Sequence, residues 1–237
     1  MNITAVLLNY ARPYNLSPIL KALSQHDAVK QVVVWNNSRE MATIMCQKLG
    51  ADWLTWVDSP YNVFTLGRFI AAVRYARHDM IWFQDDDVIN PHFSALLRIA
   101  QERRTEQAIV AGLPDDESSA HFLWYEVNQP PETDIGFGAF VDRRWIAPCF
   151  ASWRAEYSDD DYLACRKADK VFTILHGRRI LVKTPIKRLR GPDGQESGRD
   201  KNALWLRPDH KKLDEEVIAK CLRLRERLRQ KKAAKAT

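Results

Sequence analysis

Long apolar runs, paired cysteines and glycine-rich loops are all missing from this chain of 237 residues. No apolar stretch approaches the ~20 residues needed to span a bilayer, so no transmembrane segment is expected. The N-terminus lacks the basic stretch and cleavage site of a signal peptide, with Met1-Asn2-Ile3 running straight into a strand. Cys46, Cys149, Cys165 and Cys221 are widely spaced without any C-x-x-C pairing, which reads as reduced thiols in a cytoplasmic protein. The lack of a glycine-rich phosphate loop disfavours a P-loop kinase or a dinucleotide-binding Rossmann protein. No internal repeat is evident.

What is present suffices for one large domain, or one domain with a substantial tail: 46% of residues are hydrophobic, and eight are Trp. The net charge of +6 hides an asymmetry. Residues 176–237 hold 19 Lys/Arg against 8 Asp/Glu, a balance of +11, while residues 1–175 stand at −5. An acidic body with a basic C-terminal quarter suggests a polyanionic partner such as nucleic acid, an anionic glycan or a membrane surface; a solvated basic helix is the alternative.

Apolar runs alternate with amphipathic stretches through the first half. Strands are expected at Ile3–Leu8, Gln31–Trp35, Trp53–Val57 and Met80–Gln84, with helices at about 15–25, 39–49, 67–77 and from Pro91 to about Arg103. This order argues for an α/β fold with a doubly wound, mainly parallel sheet. Further on, Ile109–Gly112, Phe122–Val127 and Gly136–Val141 read as strands, Asp159–Ala168 as a helix capped by Ser158, and Val171–Leu175 with Arg179–Val182 as a hairpin. Residues 190–202 read as a mobile loop. A final helix, about 211–231, carries an apolar stripe of Leu213, Val217, Cys221, Leu224 and Leu228 that packs on the body or on a second copy, as a homodimer.

The most informative stretch is Met80-Ile81-Trp82-Phe83-Gln84-Asp85-Asp86-Asp87. An apolar strand ends in three carboxylates, and alternation puts Asp85 and Asp87 on one side with Asp86 on the other. Paired hard oxygen ligands suit Mg²⁺ or Mn²⁺, which can hold a diphosphate; a solvated acidic turn is the alternative. In an open parallel sheet ligands bind beyond the carboxyl ends of the strands. Strand one ends in Asn9-Tyr10-Ala11-Arg12 and strand two in Asn36-Asn37-Ser38, so amides, a guanidinium and carboxylates converge on one edge.

In that order, the Leu8–Pro13 segment, Val32-Val33-Val34-Trp35-Asn36-Asn37 and the acidic triplet resemble GT-A glycosyltransferases, and most of all the exostosin-type domain. The likeness continues through Gly136–Val141, the acidic pair in Ser158-Asp159-Asp160-Asp161, and Lys183-Thr184-Pro185, covering roughly residues 3–187. The resemblance implies a GT-A Rossmann-like domain over 1–189, with a nucleotide-sugar half to about residue 112 and an acceptor half beyond it. The loop and basic helix of 190–237 would pack on that body. It implies transfer from a nucleotide sugar, usually a UDP-sugar, with Mn²⁺ (or Mg²⁺) on the diphosphate and retention of anomeric configuration. Asn9 and Arg12 would contact the nucleotide, Asn36 and Asn37 the uridine, Arg68 the donor, and Asp85 the ribose, with Asp86 also in the donor site and Asp87 on the metal together with Asp85. Asp160 or Asp161 would stand beside the reacting carbon, and His176, after a predicted strand, either completes the metal site, which the exostosin-like pattern does not demand, or is a surface or core histidine. His121 is a weaker candidate. Trp124, Tyr125, Trp145 and Trp153 could stack on an acceptor sugar or simply fill a core.

The exostosin-type enzymes of animals are anchored and disulfide-bonded, and this chain is expected to be neither, so their acceptor is not expected to transfer. A phage or bacterial member with a basic tail suggests DNA carrying hydroxylated bases as acceptor, with a cell-surface or lipid-linked glycan as the alternative. A metal-dependent nucleotidyltransferase or nuclease is the runner-up chemistry, and a non-catalytic binding module the third reading.

Overall fold

The structure is a computed structural model that describes residues 1–38, 53–114, 124–126, 135–158, 161–197 and 206–235. Its centre is an eight-stranded sheet in the order β3-β2-β1-β4-β8-β6-β9-β7. The strands are β1 (Ile3–Asn9), β2 (Val29–Asn36), β3 (Leu54–Asp58), β4 (Met80–Asp85), β6 (Ile109–Pro114), β7 (Trp124–Glu126), β8 (Ala139–Asp142) and β9 (Arg179–Thr184). A small ribbon pairs β5 (Val88–Ile89) with β10 (Lys187–Arg188). β1 to β4 are mutually parallel, β8 runs antiparallel to β4 and β6, and β9 is again parallel to β6.

Both faces of the sheet are covered, which is why its strands read as continuous apolar runs. Ile3, Ala5, Leu7, Val32, Val34 and Trp82 face α1 (Leu16–Ser24) and α3 (Phe93–Glu102). Val6, Val33, Ile81 and Phe83 face α2 (Leu66–Tyr75), α4 (Ile146–Glu156) and α6 (Ala168–His176). Trp82 is fully buried among Phe93 and Phe140, and truncating such a side chain to Ala typically costs about 3–5 kcal/mol. A satellite core joins α4, α5 (Asp161–Arg166) and α6 to α7 (His210–Ala234) through Trp153, Leu163, Val171, Ile174, Val217 and Cys221. Thus α7 packs on the body through Val217, Cys221 and Leu224, while Leu228, at the end of the expected stripe, is 38% exposed.

One expectation about the fold needs correction. Val171–Leu175 is not a hairpin strand but the middle of α6, and β9 pairs in parallel with β6. Gly177 closes α6 in the left-handed region (φ 81°) as a helix cap, where the sequence suggested a turn between strands. The part of the 190–202 loop that is described, 190–197, is a run of turns and bends in which Arg190 bridges Glu196 and buried Ser197 donates its N–H to the Leu189 carbonyl oxygen at 2.9 Å; 198–202 lies outside the described residues. The expected helix at 39–49 lies outside the described residues. Among those described, no helix is long and apolar enough to cross a membrane. Cys149, Cys165 and Cys221 are free thiols.

Candidate active site

The register of the sheet lays Asp58, Asn36 and Asn9 in one row, with Asp85 opposite Leu8 one step back. These are the carboxyl ends of β3, β2, β1 and β4, the front edge of the molecule. The β8 strand is antiparallel and therefore begins at this edge, which brings the Ile135–Phe137 turn beside Asp85.

The three carboxylates after β4 are sorted by their partners. Asp86 is 4% exposed and points inward, accepting from the Tyr10 N–H at 2.8 Å and from Arg12 Nη1 at 2.8 Å. Burial pushes its carboxyl up to about 6, against the pull of Arg12 and the Tyr10 N–H. Its backbone carbonyl oxygen accepts from Asn15 Nδ2 at 2.7 Å, and Asn15 also donates to Ser197 Oγ. Asp86 is thus a clasp between the β1 and β4 loops, and the expectation that it contacts nucleotide does not fit its inward orientation. Asp85 and Asp87 stay at the front surface. Arg68, itself buried in the first turn of α2, grips Asp85 and reaches Asp169 of α6 at 3.5 Å. Arg12 reaches Asp87 at 3.5 Å. Gly136 lies so close to Asp85 that a Cβ there would overlap its carboxylate.

The strand-end amides form an internal network. Asn9 Nδ2 donates to Asn36 Oδ1 at 2.7 Å, and Asn36 Nδ2 donates to Asp58 Oδ1 at 2.9 Å and to the Ser38 carbonyl oxygen at 2.7 Å. Asn37 accepts from Trp35 Nε1 and the Val63 N–H and donates to the Phe64 carbonyl oxygen. Asn37 is 4% exposed and its carboxamide holds the 59–64 loop, so it supports the site wall rather than meeting a base. The exposed acceptor at the end of this chain is Asp58, oriented by Asn36 and by Trp56 Nε1 at 2.8 Å. Sequence reasoning missed Asp58, although it ends its strand as Asn36 does, and missed Asp169, for which only its contact with Arg68 gives a signal.

Asp161 opens α5 at the front, mostly exposed, with Arg154 Nη2 at 3.7 Å. Asp160 and His121 lie outside the described residues. The α5 segment is tied to the front by Thr65, whose hydroxyl donates to the Cys165 carbonyl oxygen and accepts from the Ala168 N–H. Around it, Arg166 lies over the rings of Phe64 and Tyr162, each at 5.6 Å, while Tyr61 and Tyr162 are 65% and 57% exposed. Trp153 is core, and the side chains of Trp124 and Tyr125 are not described.

His176 belongs elsewhere. It ends α6 just before β9 starts, beside Trp145 and Phe172 and near Asp142, which pairs with the first residue of β4. This is the rear edge, roughly 17 Å of strand length from Asp85, so His176 does not complete a metal site with Asp85 and Asp87. Burial lowers its pKa to about 4, leaving it neutral. Among the described residues no cluster of three or more His, Cys, Asp or Glu forms a ready-made metal cage. Two carboxylates at an edge still fit a hard divalent ion that completes its shell with substrate phosphate and water.

No protein-family model and no curated protein matches this chain. Solved structures do match in shape. GalNAc-T7 with UDP, GalNAc and Mn²⁺ has a TM-score of 0.53 at 10% identity, over 86% of this chain and 47% of that one. TarS 1–349 of S. aureus in complex with UDP-GlcNAc has a TM-score of 0.58 at 13% identity, over 92% and 65%. The mannosyltransferase PcManGT of Pyrobaculum calidifontis, with GDP-Man and Mn²⁺, has a TM-score of 0.54 at 12% identity, over 99% and 80%. The chain spans about half the length of the first of these and just under two thirds of the second. The mainly parallel sheet, its covering helices and these likenesses together give the chain the GT-A fold, the Rossmann-like fold of nucleotide-sugar glycosyltransferases, with a basic helix added at the C-terminus.

Proposed function

We propose that this chain is a divalent-metal-dependent glycosyltransferase that moves a sugar from a nucleotide sugar, a UDP-sugar, to an acceptor hydroxyl. The observation that carries this reading is the sorting of the acidic triplet: Asp86 is locked inward, and Asp85 and Asp87 are left at the front edge beside Arg68 and Arg12. The complexes of similarly folded proteins with UDP, UDP-GlcNAc, GDP-Man and Mn²⁺ support the donor class.

In this reading Asp87 and Asp85 hold Mn²⁺ or Mg²⁺, which when bound acts as a Lewis acid on the donor diphosphate. Arg12 and Arg68 add fixed positive charge where the departing nucleoside diphosphate gains negative charge. Asp58, with Asn36 and Asn9 behind it, faces the nucleoside. As the bond from the anomeric carbon to phosphate oxygen breaks, a bond to the acceptor oxygen forms, and the acceptor proton must leave. Asp160 or Asp161 stabilises the oxocarbenium-like centre or takes that proton. The exostosin-like motifs support retention of configuration.

For the acceptor we infer a hydroxyl on a modified base of DNA, as in a phage-type enzyme, supported by the +11 balance of residues 176–237. The exposed rings of Tyr61 and Tyr162 beside the front edge favour a second reading, a glycan whose sugar faces stack on aromatics. A thermal-shift screen of nucleotide sugars with and without Mn²⁺ tests the core of the proposal, because donor binding raises stability by mass action. A UDP-sugar shift that requires Mn²⁺ is expected, with UDP released on turnover. No response to any donor, or pyrophosphate release or DNA cleavage instead, overturns it.

A further inference from the structure

The densely basic end of α7 is far from the front edge. The helix starts at the front, where Asp209 pairs with Arg166 and Asp214 with Lys167 at 2.7 Å. It runs back along α6 until Arg225 approaches the Gly177 carbonyl oxygen at the rear edge. Burial ends with Leu224, yet the helix continues to Ala234, about 15 Å of further rise. Beneath this overhang Leu228 looks over an open groove of about 290 Å³ beside Trp145, Pro148 and His176.

Residues 223–235 hold seven basic side chains and one acidic one, Glu226. Arg227 pairs with Glu156. Among the described residues, Arg223, Arg229, Lys231, Lys232 and Lys235 meet no carboxylate. The sequence also stacks like charges four apart, Arg223 with Arg227, Arg225 with Arg229, Arg227 with Lys231 and Lys231 with Lys235. Each such pair works against an isolated helix. Lys231, Lys232 and Lys235 follow Leu228 at spacings of three, four and seven, so they share its side of the helix, where the exposed Arg178 of the rear edge also lies. Glu156 and Glu106 offset only Arg227 and Arg178; among the described residues the other five charges meet no carboxylate, and such a field would be relieved by an external polyanion.

A lipid surface fits less well. An interfacial helix needs one apolar face, whereas Leu222 and Leu228, the exposed leucines here, are six residues and hence about 120° apart around the helix. We propose that the α7 overhang and the rear edge form a docking site for a phosphodiester polymer, separate from the donor edge and on the opposite side of the sheet. The site holds a straight stretch of the polymer, a duplex of 20 base pairs being about 68 Å long.

The test is fluorescence anisotropy of the full chain with a labelled 20-base-pair duplex in 50 to 300 mM KCl, with inorganic polyphosphate as competitor. Binding that weakens steeply with salt is expected. Combining Arg229→Gln, Lys231→Gln, Lys232→Gln and Lys235→Gln should weaken it at least tenfold at 100 mM KCl and flatten the log–log salt slope by roughly 3 to 4. A chain ending at Leu228 should behave likewise, and both variants should keep the parent melting temperature because the changed side chains bury nothing. Equal competition by polyphosphate marks a general phosphate-chain site, and a tenfold preference for the duplex marks nucleic acid; either supports the proposal. Unchanged affinity in both variants, or capture by phosphatidylserine vesicles without duplex binding, overturns it. The proposal does not depend on the donor reading: a chain that ignores every nucleotide sugar can still pass this test.

Discussion

Arg12 donates to Asp86 at 2.8 Å across the gap between the β1 and β4 loops, and this ion pair decides which of three adjacent carboxylates can face a ligand. With Asp86 turned inward, its neighbours on either side are turned out. The pair is nearly dry, with side-chain exposures of 10% and 5%.

Asp86→Ala should therefore act on folding. Removing one partner of a buried pair costs about 3–5 kcal/mol, or roughly 8–15 °C in a chain of this size. Asp87→Ala should leave the melting temperature within about 2 °C, yet abolish Mn²⁺-dependent donor binding. Calorimetry of both variants separates the roles; equal destabilisation by the two would refute the division.

Gly136→Ala places a methyl group in the space of the Asp85 carboxylate. Overpacking of this kind costs about 1–3 kcal/mol. Because Asp85 must move off Arg68, donor affinity should fall by at least tenfold. Titration calorimetry with a UDP-sugar reads this directly, and unaltered affinity would count against a role for Asp85 at the donor.

Asn37→Ala removes the acceptor used by Trp35 Nε1 and the Val63 N–H. Orphaning buried donors costs about 1–3 kcal/mol. Amides of the 59–65 loop should exchange faster by hydrogen–deuterium mass spectrometry while those of β1 and β4 stay protected.

The strands, the helix alternation and the acidic triplet were legible because each is a local pattern: apolar runs of fixed length, 3.6-residue periodicity, and carboxylates at a strand end. The assignment of Val171–Leu175 failed because Val171, Phe172, Ile174 and Leu175 satisfy a short buried strand as well as a helix buried on several sides, and only the pairing of β9 with β6 decides between them. His176 was misplaced for the same reason, since a residue ending a strand in that direction would reach the front and one ending α6 reaches the rear. The inward turn of Asp86 follows the alternation of the chain, but its partners come from 74 and 76 residues away and leave no local trace. Asn36 and Asn37 have the right residue types at the right edge; that Asn37 is consumed by the chain itself is a three-dimensional fact.

The pH dependence of stability should carry two opposed contributions. His176, held near 4 by burial against an ordinary 6.5, supports the fold fully above about pH 6.5 and less as pH falls toward 4. Asp86, raised from 3.8 to about 6, supports it below about pH 4 and less as pH rises toward 6. His176→Phe, which suits the ring contacts with Trp145 and Phe172, should remove the acid-side loss, roughly 2 kcal/mol between pH 7 and 4.5. Urea unfolding midpoints at the two pH values measure it; an unaltered pH slope would contradict the buried neutral imidazole.

Ala11 adopts a φ of 61°, a left-handed conformation that a residue with a Cβ seldom takes. It lies between Tyr10 and Arg12, the two residues whose N–H and guanidinium close on Asp86. The chain therefore holds a strained corner at rest, kept in place by the grip on either side of it. That corner of the front edge is set by the chain's own contacts, and a ligand that meets Asp85 or Asp87 need not first turn Asp86 away.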